Sequence, residues 1–168
     1  MSTLVRRLTP DDVLEYRRVR AASLVAHPEA FLVSPEEDAG TPDDEMRRRL
    51  GAADGSVVFG AFADDELVGI TGLFRPPRAK MRHRAMIWGV YVEPAHRGQG
   101  LARALMIACI DHARSLPAID AVHLSVNTRN NAARTLYVAL GFEPWGIEKD
   151  AFRVDDVPQD EEHLVLRL

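Results

Sequence analysis

Val90-Tyr91-Val92-Glu93-Pro94-Ala95-His96-Arg97-Gly98-Gln99-Gly100-Leu101-Ala102 is the stretch on which the fold turns. It closes a run from His83 to Val92 whose bulky and β-branched residues suit a strand. Pro94 has no N–H to give a ladder and ends that strand. A helix is predicted from Gly100 to Leu116, apolar on nearly all sides between Leu101 and Ile110 and therefore packed into a core. A strand, a short loop and a helix start so close together gather unpaired backbone N–H groups at the positive end of a helix dipole. Gly98 and Gly100 carry no Cβ to keep a phosphate away from the backbone, and small Ala102 leaves the next turn open. Arg97 and Arg103 add cationic donors. A glycine-rich turn would account for Gly-x-Gly alone; with the strand and the Glu-Pro before it, a pyrophosphate site is the better reading. No Gly-Lys-Ser/Thr follows and no third glycine completes a dinucleotide fingerprint, which excludes those two classes of phosphate loop.

Downstream, Ala121 to Val126 reads as a strand and Asn130 to Leu140 as a helix with Ala133, Leu136, Tyr137 and Leu140 on one face, stopped by Gly141. Phe142 to Ile147 and His163 to Leu168 read as closing strands around a turn at Asp155-Asp156 and Pro158. Upstream, residues 3–8 form a first strand. Thr9-Pro10-Asp11-Asp12 opens a helix carrying Val13, Tyr16, Val19 or Arg20, and Leu24 at helical spacing. Pro28 and Pro35 bracket a loop around Phe31, and Thr41-Pro42-Asp43-Asp44-Glu45 opens a short helix to Leu50. Ser56 to Phe62 and Leu67 to Phe74 make a hairpin across Asp64-Asp65. A hairpin run followed by strand–helix–strand–helix–strand predicts an α+β or α/β arrangement on one central mixed sheet.

The 168 residues are enough for one domain, 1–168, and too few for two. At 46% hydrophobic and 27% charged the composition is that of an ordinary globular protein. A net charge of −4 argues against nucleic-acid binding, which needs a clustered cationic excess. The Arg47-Arg48-Arg49 run reads as a solvated face. The single cysteine, Cys109, lies in an apolar stretch and reads as a small core residue. No run approaches the ~20 apolar residues of a membrane span, and residues 1–8 lack a signal-peptide pattern. A cytoplasmic protein with no membrane partner is expected.

Arg97-Gly98-Gln99-Gly100-Leu101-Ala102 resembles the Arg/Gln-x-x-Gly-x-Gly/Ala cofactor motif of the GNAT superfamily of N-acetyltransferases, and Val90 to Pro94 resembles the strand that leads into it. Asn130 to Phe142 resembles the family's Asn-x-x-Ala-x-x-Leu-Tyr-x-x-x-Gly-Phe signature at every named position. The resemblance is strong over 84–148 and elsewhere rests on element order. It implies the GNAT fold: α+β in three layers, a mixed, mostly antiparallel sheet of six to seven strands flanked by helices. It implies acetyl-CoA as cosubstrate; no metal is expected, and a small-molecule amine is the acceptor expected here. Residues Gly98, Gln99, Gly100, Leu101, Ala102 and Arg103 would hold the pyrophosphate, with Arg97 beside them. The backbone of Val90, Tyr91 and Val92 would pair with the pantetheine arm, and Asn130 would contact the cosubstrate. Gly89 would mark a bulge that opens the sheet, although close packing explains a glycine there equally well. Tyr137 would act as general acid, since a phenol near pKa 10 can protonate a departing thiolate near 8.5 without ionising at pH 7.

The base that frees the amine is not assigned. In the ribosomal-protein alanine acetyltransferases of this family a Glu stands twelve residues before the tyrosine; Ser125 stands there in this chain, which counts against that particular activity. His83, His123, Glu93 and Glu148 are candidates, each with an ordinary surface role as its plainer explanation, and deprotonation through water is the default. The acceptor site is expected from Val25 to Thr41, Arg75 to Arg84 and Trp145 to Asp160, where Glu36, Glu37, Glu148 and Asp150 would attract a cationic amine. A protein or peptide acceptor and a non-catalytic acyl-CoA-binding module are the rival readings. The oligomeric state, a homodimer included, stays open.

Overall fold

The computed structural model describes residues 2–168. Seven strands form one sheet: β1 (Thr3–Arg7), β2 (Val57–Ala63), β3 (Glu66–Phe74), β4 (Arg84–Val92), β5 (Ala121–Asn127), β6 (Glu143–Val154) and β7 (Val157–Arg167), in the order β1-β2-β3-β4-β5-β7-β6. Five of the six joins are antiparallel; only β4 and β5 run parallel. The helices are α1 (Val13–Ala26), α2 (Pro35–Ala39), α3 (Asp43–Leu50), α4 (Leu101–Ser115) and α5 (Asn131–Ala139). The mixed α+β sheet expected from the sequence is present, at the upper strand count.

The apolar patterns sort the helices onto two faces. Met106, Cys109, Ile110 and Ala113 of α4 and Tyr137 of α5 pack with Ile87, Val122, Leu124 and Leu164 on one face of the sheet. Val13, Tyr16 and Val19 of α1 and Met46 and Leu50 of α3 pack with Val58, Leu67 and Ile70 on the other. Cys109 is fully buried and its thiol is pushed up to about 12 by burial, the behaviour of an inert core residue.

Two elements differ from the expectations. The segment between Pro28 and α3 is not all loop: Ser34 accepts from Glu37 N–H at 3.1 Å while Glu37 returns a bond to Ser34 N–H at 2.9 Å, a capping box that starts α2. The closing strands are also longer than the apolar pattern indicated. They form a hairpin with its turn at Asp155-Asp156, both at positive φ, so Trp145 to Asp160 is mostly strand.

The helix opening at Thr9 begins with a 3₁₀ turn, Pro10–Asp12, before α1. Asp12 accepts from Thr9 N–H at 2.7 Å and from Arg6 at 2.8 and 2.9 Å, and the Arg6 guanidinium holds its carboxyl down at about 2. A depressed carboxylate pKa contributes stability above the unfolded value of about 3.9 and loses it as pH falls through the folded value. Because Arg6 is 40% exposed the pair is screened, and Asp12→Asn is expected to remove only about 1 kcal/mol at neutral pH. Melts of the two proteins across a pH series check this: their separation should close between about pH 4 and pH 2.

Candidate active site

Parallel pairing between β4 and β5 lasts for three residues, Arg84, Ala85 and Met86 against Ala121, Val122 and His123. Beyond Met86 the strands diverge, so the β5-facing edge of residues 87–92 carries no ladder. The divergence coincides with a bulge. Gly72 pairs with Trp88 and Ile70 with Tyr91, leaving Thr71 alone opposite Gly89 and Val90, and Gly89 has φ +67°. A Cβ on Gly89 would meet only Arg20 Nη1, at 3.4 Å, so backbone conformation rather than close packing requires the glycine.

The gap between β4 and β5 opens into a cleft of about 500 Å³ lined by Val90, Tyr91, Val92, Arg97, Ala102 and Tyr137, with Asn130, Ala133 and Arg129 further along its wall. At one end lies the glycine loop. Gly98 has φ +73° and Gly100 φ +79°, and a Cβ on either would meet nothing within 4 Å. Neither glycine is there to spare a protein neighbour; the positive φ requires glycine, and the open space leaves the backbone free to be approached. The first helical bond of α4 runs from Ala104 N–H to Gly100 O at 3.0 Å, so the amides of Leu101, Ala102 and Arg103 have no helical acceptor. Gln99 and Arg103 are exposed beside them, whereas the Leu101 side chain is buried, which leaves its amide as the group it can present. Arg97 is partly spent on the protein: its Nε donates to Val92 O at 2.9 Å and its Nη2 lies 3.0 Å from His27 Nε2. It braces the loop against β4 as well as adding charge.

Tyr137 is 6% exposed and lines this cleft. Burial pushes its hydroxyl above the ordinary tyrosine value, with no charged or hydrogen-bonding neighbour offsetting that push. Asn130 caps α5 by accepting from Ala133 N–H at 3.2 Å.

A second cleft, of about 930 Å³, lies under α1 and α3 on the opposite face of the sheet. The two clefts share Ala30, Phe31, Ile87, Trp88, Gly89 and Ser125, so they meet at the bulge. Of the carboxylates proposed from sequence to face an acceptor, Glu37 lines the second cleft; Glu36, Glu148 and Asp150 do not. Neither His83, His123 nor Glu93 lines either cleft, and Glu93 is held by Arg18 at 2.7 Å. Sequence reading passed over Glu161, which borders the second cleft beside Ser125 and whose carboxylate lies with Glu148 and His163, their donor atoms within 4.8 Å of one another. It also passed over buried Asn127, whose side-chain amide donates to Glu29 O and Gln159 Oε1, both at 2.9 Å, and so ties the Pro28–Ala30 turn to β5. Asn127 follows an apolar run at a strand end, a signal that reads equally well as a turn residue; Glu161 carried no signal at all.

A mixed sheet splayed at its one parallel join leaves a bare strand edge that runs toward a set of free helix-start amides. Residues 18–142 match the acetyltransferase (GNAT) family, and the chain belongs to that family. It is 34% identical over 134 residues to a mycothiol acetyltransferase of Thermobispora bispora, covering 78% of this chain and 45% of that protein. It is 32% identical over 117 residues to the N-alpha-acetyltransferase RimI of Mycobacterium tuberculosis, covering 67% of this chain and 68% of that protein. The yncA protein of Salmonella typhimurium, solved with its cofactor acetyl-CoA, superposes with a TM-score of 0.85 at 21% identity over 100% of this chain and 95% of that one, a likeness of fold. The chain thus spans less than half the length of the mycothiol acetyltransferase it matches. No helix among the described residues is long and apolar enough to cross a membrane.

Proposed function

We propose that residues 1–168 act as one catalytic domain, an acetyl-CoA-dependent N-acetyltransferase that acetylates a primary amine of a small molecule. The observation that carries this reading is the unpaired edge of β4 running straight into a cradle whose two glycines face open space. That geometry suits coenzyme A: amides 98–103 meet the pyrophosphate, and the backbone of Val90, Tyr91 and Val92 meets the amides of the pantetheine arm. Family membership and the acetyl-CoA of a neighbour of the same fold support the choice of ligand.

Bound acetyl-CoA supplies a thioester carbonyl, and the chain's own groups act around it. Gly89 lines both clefts, and a backbone N–H of the bulged stretch of β4 would take charge from the carbonyl oxygen as the amine adds. The C–N bond forms, the C–S bond breaks, the Tyr137 hydroxyl gives its proton to the departing sulfur, and the proton shed by the new amide nitrogen returns through water to the phenolate. Its raised pKa keeps that proton in place at neutral pH. The amine arrives as an ammonium, and its proton leaves to water; Glu161, one of the carboxylates lining the second cleft, would receive it through that water. A peptide N-terminus is the second reading, favoured by the RimI relative, though Ser125 offers no carboxylate on β5.

Melting the protein with acetyl-CoA, NAD or ATP tests the ligand. At a concentration of about 100 times Kd, acetyl-CoA should stabilise by about 2.7 kcal/mol, visible as a rise in Tm, with no comparable rise from NAD or ATP. A thiol-release screen over amines, amino acids and peptides then tests transfer; no release from any acceptor would overturn the reading.

A further inference from the structure

Arg20 of α1 is 6% exposed, and Asp38 of α2 is its one acidic partner in the site: Nε donates to Asp38 Oδ1 at 3.3 Å. That single long contact leaves the rest of the planar guanidinium fork uncommitted, and Nη1 is buried with no partner. An unpaired buried donor is destabilising, so a core does not keep one without a use for it. The group sits where the two clefts meet. Its guanidinium carbon is 5.3 Å from the Phe31 ring and 5.5 Å from the Trp88 ring, and Nη1 lies 3.4 Å from the point a Cβ would occupy on Gly89. Phe31, Trp88 and Gly89 all line the acceptor cleft, as does Arg20 itself. A core arginine kept only to pair with Asp38 would be expected to engage it through two nitrogens, since fork-to-fork pairing satisfies both ions.

With Asp38 spent on Arg20, the remaining charge in the cleft is acidic: Glu37, Asp54 and Glu161 against Arg49, and Arg49 is already paired to Glu45 at 3.1 Å. One buried cation in an otherwise acidic cleft matches a ligand carrying both signs. We propose that the acceptor is a primary amine that bears a carboxylate, an amino acid or a conjugate retaining that group, and that Arg20 receives the carboxylate between Phe31 and Trp88 while the ammonium faces the acidic wall. This rests on the amine acetyltransferase reading and names its substrate class. Asp38 holds Arg20 in place and stays clear of the bound carboxylate.

Matched acceptors test it: phenylalanine with phenethylamine, lysine with cadaverine, arginine with agmatine, each assayed by thiol release from acetyl-CoA. The wild type should prefer the carboxylate member by about 100-fold in kcat/KM, the size of a buried charge-assisted pair. Arg20→Met leaves Asp38 buried and alone, so the working variant is the double Arg20→Met, Asp38→Asn, with Arg20→Lys beside it; each must keep the Tm rise with acetyl-CoA. In the double variant the preference should shrink to within about threefold through a higher KM for the carboxylate members, with the decarboxylated amines changed less than about threefold. Arg20→Lys should restore part of the preference, as a point charge without the fork. Equal turnover of both members by the wild type overturns the proposal. An equal fall in kcat for both members in the variants also overturns it, because Arg20 would then act on the thioester. A lost acetyl-CoA shift in the wild type overturns the parent reading, whereas a retained shift without preference overturns only this one.

Discussion

Gly100→Glu is expected to weaken acetyl-CoA binding by about 100-fold or more, equivalent to roughly 2.7 kcal/mol. The position has φ +79° and open space where a side chain would go, at the start of α4. A glutamate there would place a carboxylate and its bulk where the diphosphate is to sit, competing for the same amides and the same helix dipole. A non-glycine residue at this φ also costs about 1–2 kcal/mol of stability, so the variant must be shown to be folded by its melt before binding is read by calorimetry. Gly100→Ala separates the causes: it carries the same backbone strain without the charge, and its affinity should fall much less. Wild-type affinity in a folded Gly100→Glu protein would remove the cradle from the account.

Tyr137→Phe should lower kcat by about 100- to 1000-fold while leaving the KM for acetyl-CoA within about threefold, the pattern of a proton donor acting only as the sulfur departs. Only a hydroxyl is removed from a side chain that is 6% exposed, so packing against Phe142, 6.2 Å away between centroids, is retained. A tyrosine serving merely as core would leave kcat unchanged. The pH profile carries a second check. Because burial holds the phenol above its usual value near 10, activity should not fall on its account between about pH 6 and 9. A rising limb in that range belongs to the acceptor ammonium, and Tyr137→Phe should keep its shape.

What could be read from the sequence was what is written within one or two adjacent elements. The cradle needs only Arg97 to Arg103, and the α5 signature only Asn130 to Phe142, so glycine placement, capping and helical spacing announce them. The sequence does not decide the role of Gly89, because a bulge and close packing both demand a glycine; the register slip against β3 and the positive φ decide it. Less local features escaped. The long β6–β7 hairpin pairs polar residues, Glu148 with Glu161 among them, so no apolar alternation marks its outer half. The second cleft draws Arg20 from α1, Asp38 from α2, Trp88 from β4 and Glu161 from β7, residues that meet only once the sheet has formed. Arg20 shows the limit well: its spacing put it on the inner side of α1, but nothing in the helix foretells that one of its nitrogens goes unpaired.

The three-residue ladder between β4 and β5 makes the sheet a hinge plate with one short pin. On either side of it the halves are laced by long antiparallel ladders, so strain introduced at the join concentrates there. A ligand arm laid along the bare rim of β4 would act as a spline, stiffening a seam that the chain leaves slack. Amide protons of β4 and β5 should therefore exchange more slowly once acetyl-CoA is bound, with those of β1 and β2 little altered. Since the acceptor cleft borrows its wall from the same seam, a firm seat for the amine would exist only after the spline is in place, and the two substrates would enter in that order.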